Sequence, residues 1–104
     1  MLRIDDLRNL CHDINIVVTK HAKSRLAERG ISIEDIENAI RHGEIIEQYE
    51  DDTPFPSCLL LGLSQSGASI HLVVSMDSGY LYIITAYFPA DSDWENDFKT
   101  RKGR

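Results

Sequence analysis

The apolar residues at the start of the chain recur at helical spacing. The first stripe, at i, i+3, i+4 and i+7, consists of Leu7, Leu10, Cys11 and Ile14. It predicts a short helix within residues 1–13, with Asp5 and Asp6 favouring the positive end of the helix dipole. The β-branched run from Asn15 to Val18 then predicts either an extended lead-in to the next helix or one short strand.

Two further helices are predicted back to back, joined at Gly30. Thr19 can cap the first of them with its hydroxyl, and Gly30 can adopt the left-handed conformation that ends it. Ser32 can cap the second, with Asp35 placed as the return partner of a capping box. This helix is predicted to end at Gly43, and its apolar face consists of Ile33, Ile36 and Ile40.

From Glu44 the apolar period changes from that of a helix to the alternation typical of strands. Turn residues divide this part of the chain into four predicted strands, at residues 44–50, 57–65, 69–77 and 80–88. In the third of these, alternation places His71 on the face opposite to Ile70 and Leu72. The short connections predict an α+β fold, in which a four-stranded antiparallel β-meander carries the N-terminal helices on one face.

A chain of 104 residues is long enough for one hydrophobic core, so residues 1–104 are predicted to form a single domain. After Pro89, residues 91–98 are predicted to add a helical turn or two, pinned to the body by Trp94 and Phe98 at i, i+4. The basic tail, residues 99–104, has no apolar anchor and is expected to fray.

The net charge of −6 argues against general nucleic-acid binding, but the charges are unevenly distributed. Residues 1–29 carry six Lys or Arg and four Asp or Glu, residues 30–98 carry one and thirteen, and residues 99–104 carry four and none. This asymmetry predicts a polarised surface, with one face suited to an anion and another to a basic partner. The alternative is that the acidic residues serve only solubility.

Several classes of protein are disfavoured. No stretch approaches the roughly 20 apolar residues of a membrane span, and residues 1–22 lack the apolar core of a signal peptide, so the expected location is the cytoplasm, without membrane contact. Cys11 and Cys58 belong to no CxxC or Cys/His cluster, so both are interpreted as reduced core residues, and neither a metal site nor a cofactor is predicted. The chain also lacks a phosphate-binding glycine loop, a GxSxG elbow and an HExxH motif.

One group of residues that can carry chemistry lies on the second predicted helix. His21, Arg25 and Arg29 form a ridge of i, i+4 neighbours that borders the apolar stripe. Because guanidinium groups bind phosphate in a fixed fork and imidazole titrates near neutral pH, the ridge is a candidate site for an anionic substrate. The alternative is an exposed, ion-paired helix surface, in which Glu28 pairs with Arg25.

A second group lies on the strands. His71 is one candidate, and alternation puts Thr85 and Tyr87 on one face of the last predicted strand, together with Leu81 and Ile83. A lone strand histidine is more often structural, but imidazole, guanidinium, hydroxyl and phenol around one pocket are the groups that metal-free RNA cleavage needs. One group takes the 2′-OH proton, a cation stabilises charge on the phosphate, and another group protonates the leaving oxygen.

A set of sequence motifs extends over about residues 17–101. They are TxHAxxRxxxRGIS from Thr19, GEIIExYE from Gly43, PxPSCLxLG from Pro54, HxVV from His71 and ITAYxP from Ile84, followed by Trp94. In these motifs the chain resembles the small bacterial family described as domain of unknown function 4258. That family is similar in element order to the RelE-like toxin ribonucleases of toxin–antitoxin systems.

The resemblance implies a RelE-like fold and the activity of a toxin-type, metal-independent endoribonuclease. It implies catalytic roles for His21, Arg25, His71, Thr85 and Tyr87. It also suggests substrate binding by Arg29, Lys20 and Lys23. The implied partners are RNA, either free or on the ribosome, and a cognate antitoxin protein.

The chain departs from RelE-like toxins in charge, since those tend to be basic and this sequence is acidic. This departure supports an alternative hypothesis, a non-catalytic binding module that holds a basic protein partner. In either case the surface predicted to face such a partner consists of Glu34, Glu37, Glu44, Glu47 and Glu50. The feature that separates the two hypotheses is whether His21 and His71 converge on one site.

Overall fold

A computed structural model describes residues 1–103. Its elements in chain order are α1 (Ile4–Asn9), a 3-10 turn (Asp13–Asn15), β1 (Ile16–Val18), α2 (Lys20–Arg29), α3 (Ile33–His42), β2 (Glu44–Tyr49), β3 (Ser57–Leu63), β4 (Ser69–Asp77) and β5 (Tyr80–Tyr87). The predicted α+β class is confirmed. None of the helices within residues 1–103 is both long and apolar enough to cross a membrane.

The predicted starts of α2 and α3 are confirmed by their capping contacts. The Ala22 N–H donates to Thr19 Oγ1 at 3.2 Å, and Gly30 ends α2 with a φ of 69°. Ser32 and Asp35 form a complete capping box, because the Ser32 N–H donates to Asp35 Oδ2 at 3.0 Å and the Asp35 N–H donates to Ser32 Oγ at 3.1 Å. Local side-chain chemistry therefore determines where both helices begin.

The sheet of the described chain has five strands in the order β1-β5-β4-β3-β2. The antiparallel meander from β2 to β5 is as predicted, but the expected total of four strands is wrong. Of the two alternatives predicted for the run before α2, the short strand is correct: Ile16–Val18 form the additional strand, which pairs in parallel with Leu81–Ile83 of β5. Three β-branched residues are too few to show alternation, and the distant pairing has no signature in the local sequence.

The helices cover one face of the sheet, as predicted, and form the core with it. The buried side chains at this interface include Leu7, Leu26, Ile36, Ile40, Leu60, Leu72 and Ile83. α3 lies so close to β3 that a Cβ atom on Gly62 would stand 2.6 Å from the Cα atom of Ala39. Only glycine permits this approach of helix and strand.

The C-terminal segment, residues 89–103, packs against the other face of the sheet. Trp94 is buried there as predicted, but the expected helical turn is replaced by irregular turns, and Phe98 has a left-handed φ of 57°. The tail also differs from the frayed segment predicted: Lys99 pairs with Glu44 at 3.1 Å and Arg101 with Glu47 at 2.9 Å. Ion pairs take the place of the apolar anchor that the tail lacks, and Arg104 lies outside the described residues.

Candidate acid–base site

The predicted cationic ridge of α2 lies at the protein surface. The ridge residues His21, Arg25 and Arg29 are all exposed, as are the neighbouring Lys20 and Lys23. Arg25 pairs with Glu28 at 3.8 Å, as the alternative interpretation expected. Because Leu26 joins the core on the helix side of the sheet, the ridge also lies on that side.

The Arg29 side chain extends from α2 to β5. Its Nη1 atom donates to the Ala86 carbonyl oxygen at 2.7 Å and to Thr85 Oγ1 at 3.3 Å. β1 pairs with β5 only as far as Ile83, so the edge of β5 beyond that residue is open to the guanidinium. Arg29 and Thr85 are thus two predicted site residues that the fold brings together.

His71 is 0% exposed, and both of its ring nitrogens make hydrogen bonds. Its Nε2 atom lies 2.8 Å from the Phe98 carbonyl oxygen, and its Nδ1 atom lies 3.2 Å from Tyr87 Oη. A carbonyl can only accept, so Nε2 carries the proton in the neutral ring, and Nδ1 accepts from the Tyr87 hydroxyl. Burial lowers the pKa of His71 and so favours this neutral form.

A β-bulge brings Tyr87 to His71. Thr85 pairs with Val73 of β4, but Val74 pairs with Ile83, which leaves Ile84 as an extra residue in β5. The prediction that Thr85 and Tyr87 share a face with Ile83 is therefore wrong, because the extra residue reverses the alternation. Tyr87 instead lies on the second face, directly opposite His71.

Trp94 and Phe98 complete the surroundings of His71. The centroid of the imidazole lies 4.5 Å from that of the Trp94 ring and 5.3 Å from that of Tyr87, both in edge-on geometry. The left-handed conformation of Phe98 costs a residue with a side chain about 1 kcal/mol. Strain of this kind is found where the surroundings require a particular backbone direction, and here the Phe98 carbonyl bonds His71 Nε2.

A second network lies beside Trp94 and joins the tail to β2. Arg101 donates to Glu47 through Nε and Nη2, both at 2.9 Å, and its Cζ atom lies 4.6 Å from the centroid of the Trp94 ring. The hydrogen bond from Arg101 holds the pKa of Glu47 below its ordinary value. Tyr49 Oη donates to Glu47 Oε1 at 2.5 Å, and burial together with this carboxylate raises the pKa of Tyr49 to about 12.

A cleft of about 370 Å³ opens beside Tyr87, at the end of β5. Its walls include Tyr87, Phe88, Asp93, Trp94, Arg101 and Lys102. Burial raises the pKa of Tyr87 above its ordinary value despite the opposing charge of Arg101, so the phenol is neutral and keeps its proton. Through that proton the cleft is connected to the buried imidazole of His71.

The structure therefore brings together one part of the predicted site and separates another. His71 and Tyr87 are in contact, but His21 lies on α2, on the helix side of the sheet, while His71 lies on the opposite face. The two histidines do not converge, and Arg25, Lys20 and Lys23 stay on the helix side with His21. The catalytic role of His21 remains a prediction without geometric support.

Sequence reasoning missed the residues that surround His71 on the second face. Arg101 belongs to the tail that was expected to fray, and Phe98 contributes a backbone carbonyl, for which no residue pattern gives a signal. The sequence pattern predicts that Glu47 faces a protein partner, whereas it binds Arg101 of the same chain. The contact between the tail and β2 could have been predicted from the sequence, since the basic tail and the acidic β2 have charges of opposite sign. Among the side chains that the structure describes, no group of three or more His, Cys, Asp or Glu is placed to hold a metal ion.

These features define a small α+β domain in which a buried histidine is hydrogen-bonded to a tyrosine in the wall of a partly cationic cleft. The chain belongs to the family described as Domain of unknown function (DUF4258), whose model matches residues 18–88. The matched range includes His71 and Tyr87 and ends before Trp94 and Arg101. A search of curated proteins and a search of solved structures each gave no match. None of these comparisons shows the expected similarity to RelE-like toxins.

Proposed function

We propose that this protein is a toxin-type endoribonuclease that cleaves RNA by general acid–base chemistry, with Tyr87 and His71 as a coupled pair. The observation that carries the proposal is the hydrogen-bonded series from Tyr87 Oη through His71 to the Phe98 carbonyl, with its phenol end at a cleft. A hydroxyl, an imidazole and an orienting acceptor in this order are the parts that enzymes use to move a proton.

The pair would act on the 2′-OH of RNA. Tyr87 Oη takes the 2′-OH proton as its own proton passes to His71 Nδ1, and the 2′-oxygen forms a bond to the adjacent phosphorus. The bond from phosphorus to the 5′-oxygen breaks, which leaves a 2′,3′-cyclic phosphate and a 5′-hydroxyl. The Phe98 carbonyl and the nearby charge of Glu47 both favour the imidazolium that forms.

Cations at the cleft would supply the remaining roles. Arg101 and Lys102 line it, so they can stabilise charge on the phosphate, and the Lys102 ammonium can protonate the leaving 5′-oxygen. Arg29 adds positive charge close enough to favour ionisation of Tyr87. The groups that act in this proposal are thus Tyr87, His71, Arg101 and Lys102, and the ridge of α2 is left for more distant RNA contacts.

The proposed partners are RNA and a cognate antitoxin protein. Glu44 and Glu47 of the predicted partner surface already bind Lys99 and Arg101 of the same chain. A basic partner that docks on β2 would therefore compete with the tail. Because Arg101 also packs on Trp94, such a partner would disturb the cleft as it binds.

The second candidate function is a non-catalytic protein-binding module. Two observations favour it: His21 and His71 do not converge on one site, and His71 is completely buried with both ring nitrogens bonded, which is typical of a structural histidine. On this hypothesis Tyr87 and His71 only stabilise the packing of the C-terminal segment.

Cleavage of a single-stranded RNA by the purified protein, in the presence of a chelator, distinguishes the two candidates. The proposed function predicts fragments that end in 2′,3′-cyclic phosphate and their loss in Tyr87→Phe purified in the same way. Fully 2′-O-methylated RNA serves as a control, because it lacks the nucleophile. Intact RNA, together with a stable complex with the product of the neighbouring gene, would instead support the binding module.

A further inference from the structure

We propose that the cleft beside Tyr87 binds one unpaired nucleobase, stacked on Phe88, with the adjoining phosphate on Lys102 and Arg101. This inference rests on the proposed function, because it names the form of RNA that the site accepts. It also assigns a role to Phe88, which the acid–base chemistry does not use.

The position of Phe88 in the cleft wall supports a site for a nucleobase. It directly follows Tyr87, lines the cleft, and is 44% exposed, although the neighbouring Trp94 is almost fully buried. An exposed aromatic ring on the wall of a mainly polar cleft has apolar surface left to cover. Single-stranded RNA is commonly recognised by stacking its splayed bases on such rings.

The charged side chains of the cleft indicate where the adjoining phosphate would bind. Within the described residues Lys102 has no ion-pair partner, whereas Arg101 engages Glu47 through Nε and Nη2. The Asp93 carboxylate lines the same cleft, and the Asp93 carbonyl accepts from the Lys102 N–H at 2.9 Å, so the Lys102 ammonium has to offset the repulsion between Asp93 and a bound phosphate. Asp93 can instead accept a hydrogen bond from an N–H group on the edge of the base.

The consequence is a preference for RNA without secondary structure. A base inside a duplex is already stacked on both faces and cannot lie against Phe88 unless it leaves the helix. Placing the base on Phe88 also brings its ribose near Tyr87, the preceding residue, where the 2′-OH proton is to be taken.

The test is a binding titration with a 2′-O-methylated oligonucleotide, which binds but cannot be cleaved through a 2′-OH. Trp94 is the only tryptophan of the chain and lies in the cleft wall, so its fluorescence reports occupancy. We expect the single strand to bind more tightly than its duplex, and Phe88→Ala to weaken single-strand binding by about fivefold to a hundredfold. Phe88→Tyr should restore it.

Phe55→Ala is the matched control. Phe55 is also an exposed phenylalanine, at 38%, but it lies in the turn between β2 and β3 and outside the cleft wall, so its removal should leave binding unchanged. Wild-type binding of Phe88→Ala, equal binding of the duplex, or no binding by the unaltered protein would overturn the inference. Cleavage of RNA at the wild-type rate by Phe88→Ala would overturn it while the proposed function stands. Binding that depends on Phe88 without any cleavage of RNA would overturn the function alone.

Discussion

At the scale of single residues, His71 shows how burial and hydrogen bonding decide what an ionisable group can do. The Phe98 carbonyl determines that the proton resides on Nε2, so that Nδ1 faces the Tyr87 hydroxyl as an acceptor. His21 is exposed on α2, although the sequence presents both residues as plain histidines. Burial, which a residue type alone does not reveal, makes the difference.

His71→Gln should change how stability depends on pH. Since the folded state lowers the pKa of His71 below 6.5, the unfolded chain binds the proton more readily, and stability that is present above pH 6.5 is lost as the pH falls toward the lowered pKa. The glutamine Nε2 can still donate to the Phe98 carbonyl but does not titrate. Thermal unfolding between pH 5 and 8 should therefore show a shallower acid decline in His71→Gln.

His21→Gln is the control for that measurement, because His21 is exposed on α2. Its melting temperature should follow that of the unaltered protein at every pH. An unchanged acid decline in His71→Gln would show that the folded state does not depress the pKa of this residue.

Glu47→Gln should weaken the attachment of the tail. The substitution removes the charge that Arg101 binds through two nitrogens and leaves a neutral acceptor, so we expect a loss of about 1 kcal/mol, or about 4–8 °C in melting temperature. Glu28→Gln removes the looser 3.8 Å pair with Arg25 and should shift stability by less than about 0.5 kcal/mol. Equal effects of the two substitutions in chemical denaturation would contradict the role given to Glu47.

At the scale of elements, capping residues determine where the helices begin and end, and one bulge residue in β5 determines which side chains meet at the candidate site. Thr19, Gly30 and Ser32 could be assigned from the sequence because a cap is a local interaction. The bulge at Ile84 could not, since it depends on how β5 pairs with β4 over a long range. That single extra residue determines that Tyr87 faces His71.

Gly62→Ala tests the contact between α3 and β3. The added Cβ would stand 2.6 Å from the Cα atom of Ala39, which is backbone and cannot move alone, so we expect a loss of about 1–3 kcal/mol in the free energy of unfolding. Leu63→Ala, at the next and exposed position of the strand, should cost less. Adding Ala39→Gly to Gly62→Ala should recover only part of the loss, because the clash with the helix backbone remains. A stable Gly62→Ala would mean that α3 does not approach β3 this closely.

At the scale of the whole molecule, the sheet separates two cationic regions that the sequence suggested as one site. The ridge of α2 lies on the helix side, and the cleft with Arg101 and Lys102 lies with the C-terminal segment on the other. The fold class, the meander and the helix-covered face could be predicted from apolar period alone. The convergence of side chains could not, because it depends on the bulge in β5 and on the tail folding back to Glu47.

The uneven distribution of charge along the sequence leads to ion pairs between the tail and β2. Lys99 and Arg101 of the basic tail bind Glu44 and Glu47 of the acidic middle region, so part of the opposite charge is neutralised within the chain. This fold-back places Arg101 beside Lys102 at the cleft, so an acidic protein presents two basic side chains together on one part of its surface.

The central claim, that Tyr87 and His71 form one proton-transferring unit, is tested most directly by the single-turnover rate of RNA cleavage. Tyr87→Phe removes only the phenol oxygen and His71→Gln only the titrating nitrogen, so both should lower the rate by about 100-fold to 10,000-fold. The double variant should be little slower than either single variant, and His21→Ala should cleave within a few-fold of the unaltered protein. Cleavage by Tyr87→Phe at the full rate, or loss of activity in His21→Ala with the fold intact, would contradict the account.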